Sequence, residues 1–316
     1  MSSRSARQHD HDHDAPSPSY AHEACLTPAQ GLLLNFKDGE LEAAFRRDWA
    51  KASFRADCGL YLLALSLWCL VWHTLQSAGE SGRARWAAGN ALMCSCTLVF
   101  MRLNQEAFMR RRTLIIASTK ILATVFATEI MLLPGHPTAS WLGLFSALGV
   151  LSKVCMLLFT ACFMQIPYSE HLVVQALQVG YCILHNGRMC SALETRYLGI
   201  RERCLAIARA LSTVSYEAQA PLKLRSRTLS GAHACESVNA YLQIIFGYVL
   251  SMLLLHELEG RSRADFLRSS GRLPALATSS GLFMGWLAVP VFMLLSAIIT
   301  WELVEAMWEL TDTWTH

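Results

Sequence analysis

The sequence predicts an all-α fold, a polytopic transmembrane helix bundle of six spans accompanied by amphipathic surface helices. Six apolar segments approach the roughly 20 residues that a helix needs to cross a bilayer. The chain is 53% hydrophobic and 16% charged, whereas soluble domains are about 25% charged. No segment shows the alternation of a β-barrel strand. The predicted spans are residues 58–76, 86–101, 113–133, 141–164, 238–255 and 279–301.

Two polar segments precede the first span. Residues 1–37 are rich in Ser, Ala, Pro, His and Asp without apolar periodicity, which predicts a disordered tail. In this tail His9, His11 and His13 alternate with Asp, a low-complexity pattern that would bind Zn or Ni only weakly. We therefore predict no metal site and no cofactor.

Residues 38–57 are predicted to form an amphipathic helix on the membrane surface that leads into the first span. Asp38 is a suitable N-cap, and Leu41, Phe45 and Trp49 recur every four residues. The bundle itself is predicted to comprise spans one to four within 58–164 and spans five and six within 238–303. An acidic tail, 304–316, follows.

The distribution of Lys and Arg predicts the orientation of the spans. With six spans, 19 of these residues lie on the side of residues 1–57 and six lie in the connections on the other side. Basic connections stay in the cytosol, so both termini are predicted to be cytosolic. The weak point is segment 256–278, because its four arginines fall on the far side. Which membrane houses the protein is left open.

A seventh span over 171–186 is the alternative topology. It would leave 15 basic residues on the side of residues 1–57 and ten on the other. The segment has only 16 residues and contains Gln175 and Gln178. An amphipathic helix on the membrane surface therefore explains its pattern better.

The connection 165–237 is predicted to be cytosolic and helical. Ser191 and Glu194 have the spacing of a capping box that opens a helix. The apolar face of this helix either docks on the bundle or binds a partner protein; its members are Leu193, Tyr197, Ile200, Cys204, Ile207 and Leu211. A later string resembles a basophilic kinase site, and whether Ser226, Thr228 or Ser230 is phosphorylated stays open.

Polar residues inside the spans are the candidate functional residues, because charges in lipid are costly and usually face the bundle interior. Lys153 lies near the middle of span four and shares a face with Ser146 and Thr160. In span three, Lys120 and Glu129 lie on opposite faces. Either Glu129 pairs with Lys153 in the adjacent helix, or Glu129 and Lys120 extend towards opposite interfaces.

Span five begins with Glu236, Asn239 and Gln243 on one arc of the helix. Such residues either bind neighbouring helices or line a hydrated path. The complete predicted polar path is Lys120, Glu129, Ser146, Lys153, Thr160, Glu236, Asn239 and Gln243. None of the 11 cysteines lies in the predicted far-side loops, so the cysteines are expected to be reduced packing residues.

Several function classes lack their sequence signatures. A net charge of +3 does not favour nucleic acid as a partner, and no potassium-channel filter, phosphate loop or zinc-protease motif is present. The leading hypothesis is passage of an ion or small solute through the bundle. The alternative is a scaffold or regulatory subunit that binds a protein partner through 165–237. A third class, a lipid-modifying enzyme, would use His73, Glu129 or His256.

Two stretches carry a resemblance to other proteins. The segment FKDGELEAAF at 36–45 and the segment CESVNAYLQIIFGYVLSMLLLHELEGRSRADFL at 235–267 resemble uncharacterised multi-span membrane proteins of green algae. The resemblance covers only these stretches. It implies a multi-span membrane protein and brings no activity, cofactor or site residue.

Overall fold

The computed structural model describes residues 34–36, 38–130, 153–196, 199–219, 233–271 and 281–315. Every regular element in these ranges is a helix. In chain order they are α1 (Gly39–Ser77), α2 (Ser81–Leu103), α3 (Gln105–Ile130), α4 (Val154–Phe163), α5 (Tyr168–Leu184), α6 (Asn186–Arg196), α7 (Ile200–Gln219), α8 (Ala234–Leu242), a π-helical segment (Gln243–Leu250), α9 (Ser251–Ser269) and α10 (Gly281–Thr315). Outside the described residues lie His9, His11, His13, Ser146, Ser226, Thr228 and Ser230.

Several of these helices can cross a membrane. The five that are long and apolar enough are Gly39–Ser77, Ser81–Leu103, Gln105–Ile130, Ala234–Ser269 and Pro290–Met307. They contain the predicted spans one, two and five and overlap most of span three and part of span six. Of the fourth predicted span, only the short apolar helix Val154–Phe163 is described. The helix bundle is thus shown, and six spans are compatible with it.

Helix α1 joins the predicted surface helix and the first span into one 39-residue helix. Asp38 caps it as predicted, because its side chain accepts hydrogen bonds from the amides of Glu40 and Leu41. The apolar face at the start of α1 packs on protein, since Phe45 is buried against Phe266 at the end of α9.

A buried arginine binds the start of α1 to α9. Arg263 donates from Nη1 and Nη2 to the Glu42 carboxylate at 2.6 and 3.0 Å, and from Nε to Glu259 at 2.8 Å. Its guanidinium also lies 4.2 Å from the ring centroid of Phe45. Glu42 and Arg263, which a six-span topology places on opposite sides of the membrane, are therefore in direct contact.

The same cluster holds the start of α5. Glu259 accepts a hydrogen bond from the Tyr168 amide at 2.6 Å, and Arg46 pairs with Glu170 at 2.7 Å. The beginnings of α1 and α5 and the end of α9 thus lie at one end of the bundle, which we call the arginine end.

Close packing connects α4 to the π-helical segment. A Cβ added to Gly247 would lie 2.8 Å from Leu157 Cδ1 and 3.3 Å from Leu157 Cβ, and Leu157 is fully buried. Glycine at position 247 therefore leaves the space that the Leu157 side chain occupies.

The connection after α5 folds onto the bundle. Its described part contains α6 and α7, and Gly199 lies between them with a φ of +74°, a left-handed conformation that favours glycine. Ser191 and Glu194 lie inside α6, so the prediction that they open a helix is wrong. The predicted apolar face does dock, since Leu193, Ile200 and Cys204 are buried in one cluster with Cys235 and Trp301.

A disulfide joins Cys190 of α6 to Cys235 of α8. The expectation that the cysteines are reduced is therefore wrong for this pair. Sequence reasoning treated each cysteine within its own segment, whereas the two sulfurs meet only because the folded connection brings α6 onto α8.

Substituting Gly247→Ala tests the α4 contact. We expect a loss of about 1–3 kcal/mol in the free energy of unfolding, because the buried Leu157 has to move. Gly260→Ala in α9 is the matched control, since no atom lies within 4 Å of its added Cβ; better helix propensity should make it neutral or stabilising. Thermal unfolding in detergent measures both, and equal shifts would contradict the close approach.

Substituting Arg263→Gln tests the arginine end. The change removes the ion-pair partner of the buried Glu259 and one of the two arginines at the partly buried Glu42, so we expect a loss of about 3–5 kcal/mol in the free energy of unfolding. Arg261→Gln is the control, because the Arg261 side chain is 61% exposed, against 4% for Arg263. Exposed pairs contribute about 0–1 kcal/mol. Similar unfolding temperatures in detergent for the two variants would contradict a central role of Arg263.

Candidate functional site

One face of α5 carries a stripe of polar side chains that is buried along its whole length. Its members follow the 3.6-residue helical period and are each at most 2% exposed. At a rise of 1.5 Å per residue, the stripe extends over about 22 Å, most of the roughly 30 Å hydrocarbon core of a bilayer. The residues of this polar stripe are His171, Gln175, Gln178 and Cys182 on α5, and Asn186, the first residue of α6, continues it.

The opposite face of α5 is apolar and exposed. Val173 is 61% exposed and Leu177 is 57% exposed. A helix lying on a membrane surface turns its polar face to water and its apolar face inwards. Helix α5 has the reverse arrangement, which is typical of a helix surrounded by lipid and packed against a polar interior.

The stripe begins at a pair of ionisable residues. Lys120, near the middle of α3, is fully buried, and its Nζ lies 3.0 Å from Nδ1 of the equally buried His171. No carboxylate among the described residues forms an ion pair with Lys120. Two cationic forms at this distance repel each other strongly in a medium of low dielectric. The pair therefore holds at most one positive charge.

The glutamines of the stripe bind backbone carbonyls of neighbouring helices. Gln175 Nε2 donates to the carbonyl oxygens of Gly247 at 2.6 Å and Leu157 at 3.2 Å. Gln178 Nε2 donates to the Lys120 carbonyl at 3.0 Å and to Thr124 Oγ1 at 2.6 Å. These bonds join α5 to α3, α4 and the π-helical segment.

Two buried acceptors of the stripe, Gln175 Oε1 and Gln178 Oε1, have no hydrogen-bond partner among the described residues. Buried acceptors in folded proteins nearly always have a partner. A water molecule or a donor group of a solute would therefore be stabilised beside the Lys120 and His171 pair.

The stripe ends at a pair of amides. Asn186 and Gln243 exchange two side-chain hydrogen bonds of 3.0 Å each. Asn239, one turn earlier, is fully buried beside Cys190 and Cys235. Asn239 and Gln243, two of the three predicted polar residues of span five, therefore face the protein interior. Glu236 is only partly buried and lies beside Gly187 at the outer end of this group.

Lys153 has a different setting from the one that the sequence predicts. Helix α4 begins after it, and Lys153 itself has a left-handed φ of 67°, which is uncommon for a residue with a Cβ. Its side chain is buried but makes no hydrogen bond or ion pair with another described residue. Thr160 of the same predicted face is buried and donates to the Leu157 carbonyl.

Glu129 does not pair with Lys153. Its carboxylate instead binds Arg188 of α6 at 3.2 Å. Glu129 therefore joins the end of α3 to the residues just beyond α5. We call this end of the bundle, where Glu129 contacts Arg188 and Asn186 contacts Gln243, the disulfide end.

The residues of the predicted lipid-modifying site do not meet. Glu129 lies at the disulfide end, whereas His256 packs against Tyr168 at the arginine end, with ring centroids 5.2 Å apart. His73 is exposed on α1. These side chains do not form one catalytic group.

Sequence reasoning missed His171 and Asn186 and took Gln175 and Gln178 as an objection to a membrane helix. The signal that identifies them is spacing, since the stripe recurs at intervals of four, three, four and four residues. Read as a buried face, the same polar residues indicate a helix in contact with polar neighbours inside the bundle.

Comparisons with known proteins add no relative. No protein-family model, no curated protein and no solved structure matches the chain. The functional interpretation therefore depends on the geometry of the chain itself.

Substituting Gln175→Leu tests whether the stripe stabilises the bundle. The change leaves the carbonyls of Gly247 and Leu157 without their side-chain donor, which costs about 1–3 kcal/mol in the free energy of unfolding. Gln105→Leu, at an exposed position of α3, is the matched control and should change the unfolding temperature little. If the two variants unfold alike in detergent, the Gln175 bonds do not stabilise the fold.

Proposed function

We propose that this multi-pass membrane protein transfers an ion or small solute along the polar stripe of α5, and that Lys120 and His171 exchange a proton during transfer. The observation that carries the proposal is the buried Lys120 and His171 pair, which has no described carboxylate as a counter-ion. Ionisable groups inside a membrane bundle typically mark proton relays or solute pathways.

The chemistry of the pair supports proton exchange. Lys120 Nζ and His171 Nδ1 lie 3.0 Å apart, within hydrogen-bond distance. When one proton moves along this bond from the lysine ammonium to the neutral imidazole, the pair becomes a neutral amine and an imidazolium. The open Gln178 Oε1 supplies an acceptor for a hydrated proton or a solute donor nearby. The stripe then continues through Gln178 to Asn186 at the disulfide end.

Proton flux into reconstituted liposomes tests this function. A potassium diffusion potential drives protons inward, and an enclosed pH dye reports their entry. We expect the protein to raise the rate above that of empty liposomes, and Lys120→Met to lower it by about a hundredfold, the scale of a lost proton-transfer group. Lys51→Met, at an exposed position, is the matched control and should leave the flux unchanged.

Further variants locate the pathway. His171→Asn should reduce flux as Lys120→Met does, because either change removes one member of the pair. Lys153→Met tests whether the pathway is centred on Lys153 instead. We expect this variant to retain most of the flux. Absence of flux for protons and for a panel of small solutes, with correctly folded protein, would contradict the transport function.

The alternative is a scaffold or regulatory subunit that binds a protein partner through the connection 165–237. Much of the predicted docking face is occupied within the chain. A partner would therefore have to use the outward side of α7, where Val214 is 59% exposed. Silent liposomes together with a stable stoichiometric partner would favour this alternative.

A further inference from the structure

We propose that α5 is a seventh membrane crossing, so that α6 and α7, with the disulfide between Cys190 and Cys235, face the compartment opposite to residues 38–57, and that this compartment is oxidising. Contacts at the two ends of α5, the direction of its polar face and the disulfide each support this topology.

The contacts place the two ends of α5 at opposite ends of the bundle. At its start, Glu170 pairs with Arg46, which precedes the apolar part of α1. Just beyond its end, Arg188 pairs with Glu129, at the end of α3. Because α1, α2 and α3 cross in turn, the end of α3 lies on the side away from residues 38–57. Helix α6 therefore begins on that far side.

The direction of α8 and α9 also places α6 and α7 on the far side. Gln243 contacts Asn186 at the disulfide end, and Arg263 contacts Glu42 at the arginine end. The helix from Ala234 to Ser269 thus runs back towards residues 38–57. A six-span topology instead requires this helix to begin on the side of residues 38–57 and to end on the other side.

The surfaces of α5 suit lipid. Its polar stripe is turned inwards, where α3, α4 and the π-helical segment supply hydrogen-bond partners. Its exposed side chains include Val173, Leu177 and Leu184. With 17 helical residues, α5 lies at the short limit for a membrane helix.

The disulfide identifies the chemistry of the far compartment. Disulfides persist in oxidising compartments and are rare in the cytosol. Cys204, a third cysteine of the same cluster, is fully buried. Burial, with a smaller contribution from the charge of Glu194, raises the pKa of its thiol to about 11. Because only the thiolate attacks disulfides, Cys204 is a poor exchange partner and the bond should be stable.

The charge distribution permits this topology, although the 19 to six division of the six-span topology has the stronger positive-inside bias and the eight basic residues of 187–237 move to the far side. With seven crossings, 15 Lys and Arg lie on the side of residues 38–57 and ten lie on the other, which still satisfies the positive-inside rule. The four arginines of 256–278 move to the cytosolic side. The weak point of the six-span topology is thereby removed.

Single engineered cysteines test the topology. The background protein keeps only Cys190 and Cys235 of its cysteines. One thiol is then added at an exposed position by Arg110→Cys, Thr213→Cys or Arg261→Cys. Sealed vesicles with the cytosolic side outward are treated with a membrane-impermeant maleimide. We expect R110C and R261C to react in sealed vesicles, and T213C to react only after detergent is added.

The six-span topology gives a different labelling pattern. With six spans, R110C and T213C would both react in sealed vesicles, and R261C would react only after detergent is added. That outcome would overturn the seventh crossing. Complete labelling of all three variants in detergent serves as the control for accessible thiols.

The oxidising compartment has its own measurement. Cells are lysed under denaturing conditions in the presence of a reagent that alkylates free thiols and adds a fixed mass to each. A second sample is treated with a reductant before alkylation, so that disulfide cysteines are also tagged. We expect two additional tags after reduction of the natural sequence and none after reduction of the C190S/C235S variant. Equal tagging of the natural sequence with and without reduction would overturn the assignment to an oxidising compartment.

Discussion

The absence of water from the hydrocarbon core is the constraint on which this structure depends. Every polar group carried into lipid needs a partner inside the protein, because an unsatisfied group there costs several kcal/mol. Helix α5 turns the polar residues of one face towards neighbouring helices, which supply acceptors for the amides of Gln175 and Gln178. Its position determines how α3, α4 and the π-helical segment pack.

The π-helical segment is one consequence of this constraint. Such segments interrupt the regular hydrogen bonds of a helix and occur frequently at functional sites. Here the Gly247 carbonyl accepts from Gln175, and the missing side chain of Gly247 admits Leu157. The irregular backbone lies where α5 supplies a polar partner and α4 fills the space.

The two ends of the bundle are held by different chemistry. At the arginine end, Arg263 binds two carboxylates and covers an aromatic ring, an arrangement for which a planar guanidinium is suited. At the disulfide end, a covalent bond and an amide pair join α6 to α8 and the π-helical segment. Between them, Lys120 and His171 form a buried pair of ionisable groups, which is why the proposed proton exchange is placed there.

The sequence by itself determined the helical class, the membrane location and five of the apolar helices, because a span is a local property of about 20 consecutive residues. Asp38 as a cap was also predictable, whereas the sequence left open whether Lys120 lies inside the bundle or extends towards an interface. Local periodicity could not reveal the Glu129 pair with Arg188, the Cys190 disulfide or the contacts of the polar stripe. The first two of these join residues 59 and 45 positions apart, and the contacts of the polar stripe join residues 18 to 72 positions apart. Only the tertiary structure decided whether the polar face of α5 meets water or protein, since the same amphipathic pattern satisfies both environments and packing against α3 selects one of them.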